Sequence, residues 1–425
     1  MSVAPGEVDL AIVGAGIVGL AVARELSARH PERSTVVIER AGAVGTQQTG
    51  RNSGVIHAGI YYPPRSLKAR LCVAGARELY DYCDEQGIHY ERCGKLIVAR
   101  HEGELGRLDE LERRGRENGV PDLRRLSPDE LREVEPHCRG VAALHSPHTG
   151  IVDFASVARA FAAELAEREM PVVTSCGIEG IDNRSSQGRV RARRQRPWTT
   201  RRDPRASAGS GHGEAARTGR LALHHSQGET RARFVVFCAG RQSDRLAVAA
   251  GAPADPRIVP FRGRYLYLRP ERRELVRSLI YPVPDPALPF LGVHLSRHID
   301  GQVSLGPTAL LWPRGLGDLA WPGTRRMARR WWRIGLSELR HATSRRAFAA
   351  AGADYVPELS PSDLRGGFSG VRAQALARDG SLVDDFVVSE TERALHVRNA
   401  PSPAATSVLA LARLIADRAD ERNDR

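Results

Sequence analysis

Apolar and polar positions divide this chain into recognisable elements. Residues 10–13 are a short, unbroken apolar run ending in glycine, the pattern of a strand buried on both faces. Residues 17–28 repeat apolar side chains at helical spacing, and Thr35–Ile38 (TVVI) is a second buried run closed by Glu39. Strand, turn, helix and strand within about 30 residues make a βαβ unit. Residues 67–87 form an amphipathic helix with Leu71, Ala74, Leu79 and Tyr82 on its apolar side. A charged helix follows over 104–119, and a short one over 127–135 opened by a Ser127/Glu130 capping box. Asp153 caps a helix that runs to about residue 167.

Farther on, a strand falls within 172–181, and FVVFC at 234–238 is another buried strand, followed by Ala239-Gly240. Residues 258–310 alternate turn signals with short apolar runs, as an antiparallel sheet does. A basic helix is expected over 325–351 and a last apolar helix over 401–416, ahead of a frayed charged tail at 417–425.

Composition narrows the class. The 425 residues are 41% hydrophobic and 27% charged, which suits a globular chain of two or three domains and excludes collagen or global disorder. The net charge of +13 raises the question of nucleic acid, but eleven arginines against two acids in residues 184–220 carry +9 of it. That window is polar and rich in Pro, Gly and Ser, and reads as a disordered insertion. No helix-turn-helix, zinc or aromatic stacking pattern accompanies the charge, so no nucleic-acid partner is assigned. Lysine is nearly absent: Lys68 and Lys95 are the only two. The six cysteines form no CxxC pair and read as reduced thiols of a cytoplasmic protein. No run is long and apolar enough for a membrane span, so at most a peripheral membrane contact is expected.

Gly14-Ala-Gly16-Ile-Val-Gly19 is a GxGxxG placed between a buried strand and a helix. Gly14 makes the tight turn, Gly16 lets a pyrophosphate approach the backbone, and Gly19 lets helix and strand pack closely. Glu39, 20 residues beyond Gly19, is placed to accept hydrogen bonds from ribose hydroxyls. The chain then enters a polar, Gly-rich loop over 46–59 rather than a further βα repeat. With donors at Arg51, Asn52 and Ser53, that loop favours FAD over NAD, as does the later strand ending in Ala239-Gly240. The expected fold is α/β, a Rossmann-like FAD-binding domain with a second, mixed or antiparallel-sheet substrate domain.

Six blocks carry a family resemblance: GRNSGVIHAGIYYPPRSLKARLC (50–72), PFRGRYLYLRP (260–270), IYPVPDPALPFLGVHLSRHIDG (280–301), GVRAQAL (370–376), LVDDF (382–386) and HVRNAPSPAATS (396–407). Together they resemble the L-2-hydroxyglutarate oxidases and dehydrogenases. These are FAD-dependent oxidoreductases of the D-amino-acid oxidase and glycerol-3-phosphate dehydrogenase type. The resemblance runs from about residue 8 to 416. It implies oxidation of the 2-hydroxyl of L-2-hydroxyglutarate to a ketone, with electrons passed from FAD to quinone or oxygen. Two stretches depart from the pattern: the Arg-rich window, and residues 306–322, which look shortened and rearranged. Either is expected to disturb the substrate domain. The same fold also accommodates amine oxidases and glycerol-3-phosphate dehydrogenases, and the Arg-rich window leaves an RNA-binding alternative open.

Candidate residues follow from the chemistry. A base must take the hydroxyl proton while the hydride leaves, and histidine titrates in the right range. His57 lies in the Gly-rich loop expected beside the flavin, and His294 ends a strand of the substrate sheet; His298 is a weaker candidate. A dicarboxylate needs cationic clamps, for which Arg262, Arg297 and Arg372 are candidates. With 61 arginines in the chain, each also reads as a solvated surface charge. Tyr61, Tyr281 and Lys68 complete the substrate set. The cofactor set is Gly14, Gly16, Gly19, Glu39, Arg40, Arg51, Asn52, Ser53, Gly54, Ala239, Gly240, Pro403, Ala404, Ala405 and Thr406. The last four rest on Ser402 as a helix N-cap with Pro403 at the first helical position, a helix start aimed at the flavin. Asp384-Asp385 has no histidine partner, and no metal is assigned. The FAD domain is placed at 1–90, 150–255 and 355–425, and the substrate domain at 91–149 and 256–354.

Overall fold

The computed structural model describes residues 3–182, 219–286 and 288–423. The expected disorder of the 184–220 window lies outside the described residues, apart from Gly219 and Arg220.

The first sheet is built around β1 (Glu7–Val13). It runs parallel to β2 (Thr35–Ile38) on one side and to the strand Gly228–Phe237 on the other. Val172–Val173 and Ala394–Asn399 extend the sheet outwards, again in parallel. β1 and β2 are apolar almost throughout because both faces are covered. Helix α1 (Ile17–Arg29), Phe154–Glu167 and Val408–Asn423 bury one face, and Val173, Leu221, Leu223, Leu246 and Ala250 pack on the other. At one edge Ile178–Asp182 and Leu221–His225 form an antiparallel hairpin with Asp182 opposite Ala222.

The second sheet has nine strands. Its longest pair is Arg257–Leu268 against Leu364–Leu376, antiparallel along nearly their whole length. Leu279–Pro282 lies parallel to Lys95–Ala99, which makes the sheet mixed. A three-stranded sheet of Val55–Ile56, Gly150–Val152 and Tyr90–Glu91 lies between the chain's two large sheets in sequence, fed by the Gly-rich loop.

Four expectations need correction. Leu364–Leu376 belongs to the second sheet, so the chain returns to the first sheet after residue 376 rather than at 355. The basic helix is two helices, Pro322–Thr343 and Arg345–Ala353, because the Ser344 hydroxyl accepts the Ala347 N–H and caps the second. The last helix is Val408–Asn423. Residues 402–407 form turns instead, and the first i→i−4 bond, from the Ser407 N–H, ends on the Pro403 carbonyl, one residue beyond Ser402, so Ser402 is no N-cap. The acidic tail is helical to Asn423 because Asp417 and Asp420 pair with Arg29, and Asp420 also with His30.

The departing segment 306–322 is anchored to the first sheet's side of the chain. Arg314, part-buried, forks onto the buried Asp244 and Asp318 and so clamps this segment to the helix Ser243–Ala249 that follows the FAD-side strand.

Candidate active site

The turn between β1 and α1 is shaped by contacts that exclude side chains. Gly14 has φ +110°, and a Cβ there would lie 2.5 Å from the Cys238 carbonyl oxygen. A Cβ on Gly19 would lie 1.9 Å from the Gly14 oxygen. The Glu39 carboxylate is buried and accepts the N–H groups of Ala15 (2.7 Å) and Ala41 (2.8 Å). Each carboxylate oxygen keeps a second lone-pair site for a hydroxyl. Thr49, absent from the sequence-derived set, accepts the Ile17 N–H at 3.0 Å. The N–H groups of Gly16, Val18 and Gly19 have no acceptor among the described residues. Free N–H groups at a helix start, in a cradle that a Cβ would fill, fit a dinucleotide pyrophosphate. Positive charge gathers nearby: burial, then Arg40, Arg314 and Arg51, push the Arg241 guanidinium below its ordinary value.

The Gly-rich loop is held by its own side chains. Asn52 accepts the Gly54 N–H and donates to the carbonyls of Gln48 and Thr49, and Gly54 takes φ +71°. The loop packs under the second sheet, where a Cβ on Gly370 would meet the Arg51 oxygen at 2.5 Å. Gly240 approaches Gln48 in the same way, beside Ala239. His57 donates its backbone N–H to Thr406 Oγ1 at 3.0 Å, which joins the loop to the turns before the last helix. Pro403, Ala404 and Thr406 are buried in those turns and Ala405 is half-buried.

Here the structure brings together six polar side chains, Ser53 and His57 of the loop with Tyr61, Lys95, Tyr281 and His294. The rings of Tyr281 and His294 stack at 3.9 Å, and Ser53 lies beside the Tyr281 hydroxyl. Lys95 Nζ sits 4.3 Å from the ring centre of Tyr61 and 3.9 Å from that of Tyr281. The Tyr61 hydroxyl and His57 Nδ1 are buried without a hydrogen-bond partner. His294 Nδ1 is 2.9 Å from the Gly292 carbonyl, which can only accept, so Nδ1 carries the proton and Nε2 keeps its lone pair. Burial, with the charges of Lys95 and His294, lowers His57 to about 3. Burial likewise lowers His294 to about 3, with Lys95 and Arg372 adding to the effect against the Gly292 hydrogen bond. Both imidazoles are therefore neutral at pH 7. Arg372 lies over the Phe290 ring with its guanidinium exposed and no carboxylate partner among the described residues.

Other candidates are engaged elsewhere. Lys68 is ion-paired to Asp384 at 2.7 Å, and Arg297 to Glu91 at 3.1 Å. Arg262 is exposed and lies over the Trp312 ring. His298 bonds Ser304 Oγ at 2.7 Å within the second sheet. Lys95 was not singled out from the sequence; its one signal is a charge that opens the apolar run KLIVA.

The family pattern described as "FAD dependent oxidoreductase" matches residues 9–418. This chain belongs to the FAD-dependent oxidoreductases, in the branch of the L-2-hydroxyglutarate dehydrogenases. It is 44% identical to the mitochondrial L-2-hydroxyglutarate dehydrogenase of Nematostella vectensis, over 97% of this chain and 91% of that one. The L-2-hydroxyglutarate dehydrogenase of Indibacter alkaliphilus is 37% identical over 94% and 96% of the two chains. Among solved structures, the FAD-bound L-alpha-glycerophosphate oxidase of Mycoplasma pneumoniae shares the fold at TM-score 0.75 and 22% identity, over 97% of this chain and 94% of that one. Glycine oxidase from Geobacillus kaustophilus does so at TM-score 0.68 and 17% identity, over 98% and 96%. The family's cofactor is FAD, and the glycine cradle, Glu39 and the free N–H groups are the residues of this chain that fit it.

Proposed function

We propose that this protein oxidises L-2-hydroxyglutarate to 2-oxoglutarate. FAD, when bound, supplies the two-electron acceptor for the hydride that leaves C2. The observation that carries the reading is one buried cluster of neutral imidazoles beside Lys95 and Arg372, where no carboxylate acts on His57, His294 or Lys95. Such a cluster attracts an anionic substrate and offers a base to its hydroxyl. His294 Nε2 takes the hydroxyl proton, while the Gly292 carbonyl holds the tautomer that leaves this nitrogen free. Arg372, exposed and near enough to lower the His294 imidazole, takes a carboxylate through its guanidinium fork. Tyr61 offers an unpaired hydroxyl, and His57 lines the loop side.

The decisive experiment is an anaerobic visible spectrum of the FAD-loaded protein before and after substrate. Flavin bands that bleach with L-2-hydroxyglutarate and not with the D-isomer are expected. Bands that respond to neither isomer, but to an amine or to glycerol 3-phosphate, reject the assignment.

The electrons next pass to a quinone at a membrane surface. The support is the helix Pro322–Thr343, which leaves Trp332, Leu336 and Leu339 about half exposed, at helical spacing on one face. Arg329, Arg330, Arg333 and Arg340 lie within a turn of them along the chain. An exposed apolar stripe among arginines fits the interface of an anionic bilayer. Among the described residues no helix is long and apolar enough to cross a membrane. Binding to anionic vesicles, absent on neutral ones and lost in Trp332→Glu/Leu336→Glu, is the expected outcome of co-sedimentation.

A further inference from the structure

Lys95 opens a central strand of the second sheet, and its side chain is 2% exposed. Tyr61 and Tyr281 hold its ammonium against their ring faces, an arrangement that steadies a cation without neutralising it. Among the described residues it makes no ion pair and no hydrogen bond to a carboxylate, whereas the other lysine, Lys68, is paired with Asp384. A buried cation with no counter-ion is costly unless an anion joins it. The unpaired Tyr61 hydroxyl and His57 Nδ1 belong to the same cluster. Tyr281, which carries Lys95 against its ring, also carries the stacked His294.

We propose that Lys95 is a substrate-binding residue whose ammonium receives the carboxylate next to the carbon that is oxidised. The inference rests on the 2-hydroxy acid reading above. The reacting carbon must lie deep, beside the buried imidazoles, so the carboxylate bonded to it meets the buried cation. The remote carboxylate then falls to Arg372, which is exposed. Oxidation at C2 leaves both carboxylates intact, so the same two cations hold substrate and product.

The groups that face Lys95 are His57 and Tyr61 from the loop, Cys72 from the helix Leu67–Glu85, Tyr281, and His294. Burial brings the Lys95 ammonium down to about 7, against a smaller raising effect of Cys72. Both histidines are neutral above pH 5, and the Cys72 thiol and both tyrosines stay protonated well above pH 9, since burial raises them. Lys95 is therefore the member of the cluster that changes charge between pH 6 and 9. The free site loses its cation as pH rises through about 7, and anion affinity falls with it.

The test uses FAD-loaded full-length protein and glutarate, the substrate skeleton without the hydroxyl, titrated in the visible flavin spectrum from pH 6 to 9. Wild-type affinity is expected to fall about tenfold per pH unit above the Lys95 midpoint. Lys95→Met should keep FAD, bind glutarate roughly 10- to 100-fold more weakly at pH 6, and lose the pH dependence. Wild-type affinity and pH profile in Lys95→Met overturn the proposal. Should that variant fail to hold FAD, the wild-type profile decides alone, and a profile flat from pH 6 to 9 overturns it. Wild-type protein that binds glutarate as expected, yet is not bleached by L-2-hydroxyglutarate, rejects the assigned reaction and leaves the carboxylate role of Lys95 supported.

Discussion

Replacing Arg314 by methionine tests how the rearranged segment 306–322 is held to the FAD-binding part of the molecule. The guanidinium meets Asp318 through Nε and Nη2 at 3.0 Å each, and Asp244 through Nη1 and Nη2 at 3.0 and 2.9 Å. Its remaining donors reach the carbonyls of Arg241 and Ile258. The side chains are 10%, 3% and 1% exposed for Arg314, Asp244 and Asp318. Methionine fills much of the volume but leaves two buried carboxylates without their cation. Removing one partner of a buried ion pair costs about 3–5 kcal/mol, chiefly through the charge left behind. Asp244 retains the Ile258 N–H at 3.2 Å and Arg257 at 3.9 Å, which places the expected loss toward the lower end.

The loss has a pH signature. Burial alone would raise the Asp318 carboxyl, but Arg314 outweighs it and holds Asp318 below the usual carboxylate value. In the wild type that contribution is present above the unfolded value near 3.8 and disappears as pH falls through the lower folded value. In the variant Asp318 keeps only the residue-314 backbone N–H and Arg245 against burial, so its folded carboxyl rises relative to the wild type and takes up a proton at higher pH. The variant's deficit is therefore largest near pH 7.5 and shrinks toward pH 5. Urea unfolding of the FAD-loaded protein, followed by far-UV circular dichroism at both pH values, reads it. With a slope on the order of 3 kcal/mol/M, the midpoint should fall by about 1 M or more at pH 7.5. Adding Asp244→Asn and Asp318→Asn should recover much of the loss, since a neutral buried set lacks the unpaired charges. A variant within about 1 kcal/mol of wild type at pH 7.5, or a deficit that grows on acidification, refutes the reasoning.

Three further outcomes are expected. Gly19→Ala places a methyl 1.9 Å from the Gly14 oxygen and should weaken FAD binding about tenfold or more, read as flavin retained after dialysis. His294 acts as a neutral base and stays neutral down to about 3, so kcat/KM should show no acid limb from it above pH 5; His294→Ala should lower kcat on the order of 10²- to 10⁴-fold. Replacing residues 184–218 with a short Gly/Ser turn should leave flavin content and kcat unchanged, because Asp182 and Ala222 already face each other across a hairpin. Shortening that connection favours the folded state by about 2 kcal/mol at most, and loss of flavin on shortening would assign the window a structural role.

The βαβ start was legible because its signals are local. A strand buried on both faces must be apolar throughout, and the two close approaches at Gly14 and Gly19 admit no side chain. The errors fall where the deciding partner is distant in sequence. Asp417 and Asp420 read as a solvated tail until Arg29, 388 and 391 residues away, is seen against them. Likewise Lys68 and Arg297 read as unpaired cations until Asp384 and Glu91 are seen beside them. Periodicity extended the last helix back through 401–407 because most of those turn residues are buried and the Ser407 N–H to Pro403 carbonyl bond already has helical i→i−4 spacing.

Lys95 shows why composition has to be weighed against position. A chain with 61 arginines and two lysines supplies positive surface charge almost wholly as arginine. Both lysines it retains are buried, at 4% and 2% exposure. An arginine in either place would remain charged under all conditions and would need room for a planar fork. A lysine is compact enough to sit between two tyrosine rings and can give up its proton when no anion is present. For a binding site that stands empty between turnovers, that second property matters: the unoccupied site relieves its own charge, and the arriving carboxylate restores it. A polar cluster assembled from a loop, a helix and three strands that are distant in sequence can be recognised only once those elements are folded together. A rare residue type opening an otherwise apolar strand was the trace of it that the sequence contained.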